Sequence, residues 1–322
     1  MENFYFSGSI FLSLLLVTVL NAESDVKCVS GLDFAPCKCL PSSKDLSCTG
    51  LKDGQQLKEA FAKKPKSQLD ALYITNVKGL TSLPDNVLQG VSFKSFFISD
   101  TGLQTIEDGA FKGSEETTEL LLLNQNKFKQ FNFKSIQPLK KLSTFELSND
   151  PLTSLPSEAF QKNSFLQFIN LINNSIASLE KGTFADLSNI KTINLFGNKL
   201  KAIGEGVLTT PKVKNLISIN LASNQISSID KTALTADKVD VLDLENNQLT
   251  TFSKEVFEPI LNGMVQRKSG GLIHTKGNPF KCDASIKWLV EKGREFKSHV
   301  TNFKCQGSGK TLNQLKAEDL KN

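Results

Sequence analysis

Histidine is nearly missing from this chain: His274 and His299 are the only two in 322 residues. Neither stands at a metal-ligating spacing or beside an evident nucleophile, and both read as surface residues of a terminal cap. Carboxylates are plentiful, but none is isolated in an apolar stretch that would argue for a raised pKa. The one string suggestive of a phosphate loop, Gly307-Ser308-Gly309-Lys310-Thr311, requires a glycine five places before Gly309 and has Lys304 there. The expectation is a chain that is not an enzyme and has no cofactor and no metal.

Long apolar runs are also scarce. After residue 20 none approaches the roughly 20 residues of a membrane span, and the tail AEDLKN is polar where a lipid-anchor signal is apolar. No membrane insertion is expected. Charge of one sign does not dominate either: the formal charge is +5, and removal of a leader whose only charge is Glu2 leaves 38 basic against 32 acidic side chains, or +6. The lysines are scattered among acids, and the clusters at 63–66 and 267–268 are too short for a nucleic-acid partner.

Cysteine is absent from the whole middle of the chain. Cys28, Cys37, Cys39 and Cys48 lie at the front, Cys282 and Cys305 at the back. Residues 1–22 contain an apolar run from Ile10 to Leu20 ending in the small residue Ala22, which suits secretory cleavage before Glu23, although MENFYFSGS lacks the usual Lys or Arg. In an oxidising compartment an even number of terminal cysteines reads as disulfides. Zinc fits poorly, because one residue separates Cys37 from Cys39 and no histidine is near.

What is present is repetition. LQFINLINNSIASLEKGTF, Leu166 to Phe184, is the index unit, and units open at Leu69, Phe93, Thr118, Leu142, Leu166, Ile190, Leu216 and Val239. Positions 4 and 6 of each unit alternate with polar neighbours, as in Phe145 and Leu147 or Ile193 and Leu195, which predicts a short strand with one buried face. A strand about every 24 residues, always in the same sense, predicts parallel stacking into a solenoid. Position 9 runs Val77, Thr101, Asn126, Asp150, Asn174, Asn198, Asn224 and Asn247, with a ninth candidate at Asn278. Asparagine there predicts an internal hydrogen-bond ladder, complete only from Asn126 onward. Position 19, with Phe111, Phe160, Phe184 and Phe257, predicts an aromatic filling of the convex side.

The flanks complete this organisation. Leu57, Ala60 and Phe61 lie at helical spacing before Pro65, a helical or looping insertion follows Phe257, and Trp288 with Leu289 is expected to plug the far end. The expected division is 1–22 leader, 23–68 amino-terminal cysteine cap, 69–269 repeats, and 270–322 terminal repeat with carboxy-terminal cap.

The pattern LxxLxLxxNxL with a Phe near position 19 resembles the extracellular leucine-rich-repeat family over nearly the whole mature chain. That resemblance implies an α/β fold, a leucine-rich-repeat solenoid with short parallel strands on its concave face and disulfide-stabilised caps. It also implies Cys28 paired with Cys39, Cys37 with Cys48 and, from NPFKCD followed by WLV, Cys282 with Cys305; Ala284 stands where a second cysteine is usual. FAPCKC, LTSLPDNVLQGVSFKSFFIS and FNFKSIQPLKKL are similar to arthropod secreted proteins named after the non-catalytic subunit of Oplophorus luciferase, which implies binding or scaffolding beside a separate enzyme.

If positions 4 and 6 face inward, positions 3, 5, 7 and 8 form the concave surface. Position 5 is apolar in front, with Tyr73, Phe97 and Leu122, joined by Leu120, and polar behind. A second group is Phe168, Ile172 and Phe196; Glu146, Asp243 and Glu245 are candidates for selecting a basic partner. Contiguous apolar clusters of this kind mark protein contacts unless loops or a sugar cover them. The only N-glycosylation sequon, Asn173-Asn174-Ser175, places a sugar beside Ile172 and favours the front cluster. The expected partner is an extracellular protein; a separate enzyme subunit, or a glycan or microbial surface, are the alternatives.

Overall fold

A computed structural model describes residues 33–40, 43–268 and 270–320. Cys28 and the expected leader lie outside those residues. Twelve strands form one sheet. The first two, Lys38–Cys39 and Asp45–Ser47, pair antiparallel, and every later neighbour is parallel.

Register follows the inward-facing leucines. Leu46, Leu72, Phe96, Leu121, Phe145, Ile169, Ile193, Ile219, Leu242, Ile273 and Val300 are successive Cα partners across the sheet. All are buried, because a one-residue slip would turn each of them to the open face. The cap strand before the repeats and the two strands after them continue the same stack, so both ends of the core are covered.

Position 8 turns the chain out of the strand by a left-handed residue. Asn76, Asp100, Gln125, Asn149, Asn173, Ser223 and Asn246 have φ between 52° and 58°. Asparagine and aspartate tolerate this region better than other residues with a Cβ. Gly197 occupies the same place at φ 69°, and a Cβ there would stand 2.3 Å from Asn173 Oδ1.

Position 9 then closes the turn from inside. Asn174 Nδ2 donates to Leu147 O at 2.8 Å and Leu171 O at 2.9 Å, while its Oδ1 accepts from Asp150 N at 3.1 Å. Asn198, Asn224, Asn247 and Asn278 repeat the arrangement, each accepting one backbone N–H and donating to carbonyls of its own and the preceding repeat. Thr101 joins the front of the stack through Asn126 Oδ1 at 2.6 Å, and Val77 contributes only packing. These groups are buried, so each bond spares a desolvated carbonyl or amide at a net value of about 1 kcal/mol.

The interior is more aromatic than one Phe per unit. Phe34, Phe61, Phe93, Phe96 and Phe111 make a chain of ring contacts at the front, and Phe128, Phe131, Phe133, Phe145, Phe160 and Phe184 make another in the middle. Position 19 supplies Phe111, Phe160 and Phe184 to this filling. Edge-to-face packing of such pairs adds about 0.5–1.5 kcal/mol beyond area burial.

The caps are short helices and disulfides. Helix α1, Gly54–Phe61, starts on Asp53, whose carboxylate accepts from Gln56 N, and buries Leu57, Ala60 and Phe61. Cys37 is bonded to Cys48 and Cys282 to Cys305. Cys39 is also disulfide-bonded. After repeat 8 the convex segment lengthens into α2, Lys254–Arg267, burying Val256, Phe257, Ile260, Leu261 and Met264 on one face. The back end is plugged by Leu289 on α3, Lys287–Glu291, and by Phe296 on α4, Gly293–Lys297. Trp288 joins this plug half-buried, stacked over Phe252 with ring centroids 6.1 Å apart and edge-to-face with Phe296 at 6.2 Å.

The opening of repeat 7 is also corrected. Ile217, not Leu216, pairs with Val239 and is buried, while Leu216 is 38% exposed. The register shifts between Ile217 and Ser218, so this repeat reaches Ile219 one residue early and pushes Leu216 outside.

Candidate functional site

The concave face is built by position 5. Register places Ser47, Tyr73, Phe97, Leu122, Glu146, Asn170, Asn194, Asn220, Asp243, His274 and Thr301 side by side. Its front end is apolar. Tyr73 and Phe97 stack with centroids 4.6 Å apart and planes 6° from parallel. Leu122 is the next partner of Phe97, and Leu120, two residues earlier, projects from the same face between Ser95 and Thr144. All four side chains are half-buried. Burial pushes the Tyr73 hydroxyl above its ordinary pKa, and the Asp45 carboxylate adds to the shift.

Glu146 borders this patch. The Ser148 hydroxyl lies 3.1 Å from Glu146 Oε1 and 2.9 Å from Asn124 Oδ1, one donor shared by two acceptors. Beyond it the row turns polar. Asn194 Oδ1, Asn220 Oδ1 and Asp243 Oδ1 each accept the backbone N–H two residues on, from Phe196, Ala222 and Glu245. Thr192, Ser218, Ile219, Asn220, Val241 and Asp243 line a shallow depression there.

At the far end the face carries groups that sequence reasoning placed elsewhere. His274 was expected on the cap surface and instead sits on the terminal strand Leu272–His274, a register neighbour of Asp243 and Thr301. Counting back four places from the position-9 residue Asn278 was the signal that identifies it. Its Nδ1 lies 2.7 Å from Thr301 Oγ1. Burial raises the Asp243 carboxyl above its usual range, opposed by the Glu245 amide and by His274. A hydroxyl–imidazole–carboxylate relay requires the hydroxyl and carboxylate on opposite ring nitrogens, with the carboxylate on Nδ1, the position that the threonine takes here. Glu245 Oε1 accepts from Asn302 Nδ2 at 3.3 Å.

The second apolar group spans two levels of the concave face. Ile172 and Phe196 lie at position 7 of adjacent repeats, where Asn173 N donates to Phe196 O. Phe168, at position 3, lies four residues before Ile172, about 13 Å away along an extended chain. It belongs to the entering end of the strand. Asn173 is exposed, and its Nδ2 donates to Asn149 Oδ1 at 3.2 Å.

Among the described residues no group of three His, Cys, Asp or Glu is arranged to hold a metal, and no helix is long and apolar enough to cross a membrane.

With this geometry in hand, comparison with known proteins is direct. The leucine rich repeat family model matches residues 140–200 and 214–260. The non-catalytic subunit of Oplophorus-luciferin 2-monooxygenase from Oplophorus gracilirostris is 27% identical over 320 positions, covering 90% of this chain and 86% of that protein. Among solved structures, the chain is similar to one in the octameric complex of Latrophilin 3, Unc5D and FLRT2 (LRR), with TM-score 0.59, 19% identity, and 84% and 88% of the two chains covered. It is also similar to a chain of the TLR13–ssRNA13 complex, with TM-score 0.61, 21% identity and coverage of 72% and 31%. The Toll–Spatzle complex of Drosophila has a similar chain at TM-score 0.52, 16% identity and coverage of 86% and 44%. At these identities the structures establish the fold alone. Two stretches of the chain thus match the leucine rich repeat model, and its fold is a leucine-rich-repeat solenoid.

Proposed function

We propose that the chain is a secreted, non-catalytic module that recognises a protein partner with its concave face. The observation that supports this reading is the continuous half-exposed row Tyr73, Phe97 and Leu122, flanked by Leu120 and bounded by Glu146. Three neighbouring strands about 4.8 Å apart offer a rigid apolar strip, and ordering it on binding costs little side-chain entropy because the two rings already hold each other. Asp243 and Glu245, at the other end of the face, suit a basic part of the same partner. A glycan or microbial surface fits less well. Sugars stack on open aromatic faces, and Tyr73 and Phe97 each give one face to the other.

The similarity to a subunit named non-catalytic favours a second reading, in which the chain supports a separate secreted enzyme. The same experiment addresses both. Full-length secreted chain is used to capture partners from the native secretion, with mass spectrometry of what is retained, beside the variant Tyr73→Ser, Phe97→Ser, Leu122→Ser. Retention should fall by more than about tenfold at an unchanged melting temperature, the scale expected for an apolar anchor cluster. Undiminished retention by the folded variant rejects the concave site. A stoichiometric enzyme chain among the captured proteins supports the scaffolding reading.

A further inference from the structure

The three large hydrophobics most open to solvent among the described residues are Phe165, Phe168 and Leu216, at 55%, 42% and 38% exposure. Phe165 and Leu216 directly precede the buried opening residues of repeats 5 and 7, two strands apart, and Phe168 begins the strand of repeat 5. Backbone stacking ties the segment together: Asn189 Nδ2 donates to Ser164 O at 2.8 Å, Lys214 N to Ser188 O at 3.2 Å and Lys191 N to Gln167 O at 2.8 Å. Lys191 Nζ lies 5.9 Å from the Phe168 ring centroid.

The charge on this edge is one-sided. Residues 139–145, 163–170, 187–194 and 213–220, the entering segments of repeats 4 to 7, include Lys140, Lys141, Lys191 and Lys214 and no acid. Lys140 pairs with Glu116 of the preceding repeat at 2.5 Å. Among the described residues Lys141, Lys191 and Lys214 have no ion pair. Acids stand at the margins of these segments, as Glu146 in the strand of repeat 4 and Asp186, which pairs with Lys212, and on the flanks, as Glu115, Glu116 and Glu119 in repeat 3 and Asp237 and Asp240 in repeat 8. An apolar centre beside unpaired cations favours an acidic ligand over a basic one.

We propose that this edge is a second contact surface, which binds an acidic protein segment carrying apolar side chains: Phe165, Phe168 and Leu216 take its apolar groups, and Lys141, Lys191 and Lys214 its carboxylates. A second copy of the chain is a poorer occupant. A two-fold contact is self-complementary, so pairing through this edge at repeats 5 and 6 sets lysines of one copy against lysines of the other. Phe168 lies on the concave face two strands from Leu120, while Phe165, Leu216 and the lysines extend the surface along the entering edge, so its test differs from that of the Tyr73 row.

The probe is a fluorescein-labelled 16-residue peptide of Glu mixed with Leu and Phe, titrated against the full chain at low and at physiological salt, beside a counterpart with Lys for Glu. The acidic peptide binds saturably and more weakly at higher salt, and the basic peptide does not bind. Lys191→Glu with Lys214→Glu lowers affinity by at least about tenfold, and Phe165→Ser with Leu216→Ser lowers it by about threefold or more. The variant Tyr73→Ser, Phe97→Ser, Leu122→Ser leaves it unchanged. No saturable binding of the acidic peptide, or equal binding by the charge-reversed variant, overturns the proposal. Sedimentation showing a self-associating chain that becomes monomeric on the same lysine reversals also overturns it, by assigning the edge to a second copy.

Discussion

Asp150 Oδ1 accepts the backbone N–H of Phe128 at 2.9 Å, in a stack where every other rung from Asn126 to Asn278 is an asparagine that also donates. Its Oδ2 accepts a second backbone N–H, from Asn126, at 3.0 Å. An ionised carboxylate has no proton to give, so this rung alone cannot donate to the preceding repeat.

Burial raises the Asp150 carboxyl from 3.8 to about 6, against the opposing pull of the Asn126 and Phe128 amides. The folded chain therefore holds the proton more tightly than the unfolded one. The contribution to stability is greatest below about pH 4 and is lost as pH rises through about 6. Asp150→Asn should remove this pH dependence, with a net change at pH 7.5 within about 1 kcal/mol, because the amide gains a donated bond but gives up one of the two accepted backbone bonds. Urea denaturation of both proteins at pH 5 and 7.5 measures it; a stability difference that does not shift in the variant's favour as pH rises contradicts the assignment.

Asn198 sits in the middle of the ladder, donating to Leu171 O and Leu195 O and accepting from Ile176 N. Replacing it with Ala leaves the buried Ile176 amide without its acceptor and removes one of the two donors to each of Leu171 O and Leu195 O, which keep Asn174 and Asn224. The expected loss is about 2–4 kcal/mol, against less than about 1 kcal/mol for Asn246→Ser on the exposed side of the same turn in the next repeat but one. Thermal melts of the two variants test the contrast.

Asn173 is exposed at φ 52°, and glycosylation would leave its amide one N–H with which to keep the bond to Asn149. The protein expressed through the secretory pathway of a glycosylating host should lose mass on treatment with a peptide N-glycosidase, and Ser175→Ala should abolish that shift. Ser175 is the better substitution, because replacing Asn173 also strains a left-handed residue. An unglycosylated wild-type product from a glycosylating host would remove the sugar from this face.

The repeat period, the inward leucines and the asparagine stack were readable residue by residue, since each reports a local requirement: strand alternation, a buried face, a turn with unpaired carbonyls. The neighbourhood of Tyr73, Phe97 and Leu122 followed from the same counting. The ring stacking did not, because side-chain orientation depends on how neighbouring strands twist. Nor did the left-handed conformation at position 8, although Asn recurs there, or the aromatic chains formed when Phe96 and Phe145 meet the convex phenylalanines.

Sequence alone determined that a parallel solenoid forms, which side chains fill it and which cysteines guard its ends, because a period near 24 residues leaves one way to bury every inward residue. Only the tertiary structure decided what shares a surface. It put Ile217 in the place of Leu216, moved His274 from the cap to the concave row, and stacked Tyr73 on Phe97. Each of these depends on register between repeats. Register is set by packing against the neighbouring coil, and a repeat that arrives one residue early reveals itself only when its neighbour is in place.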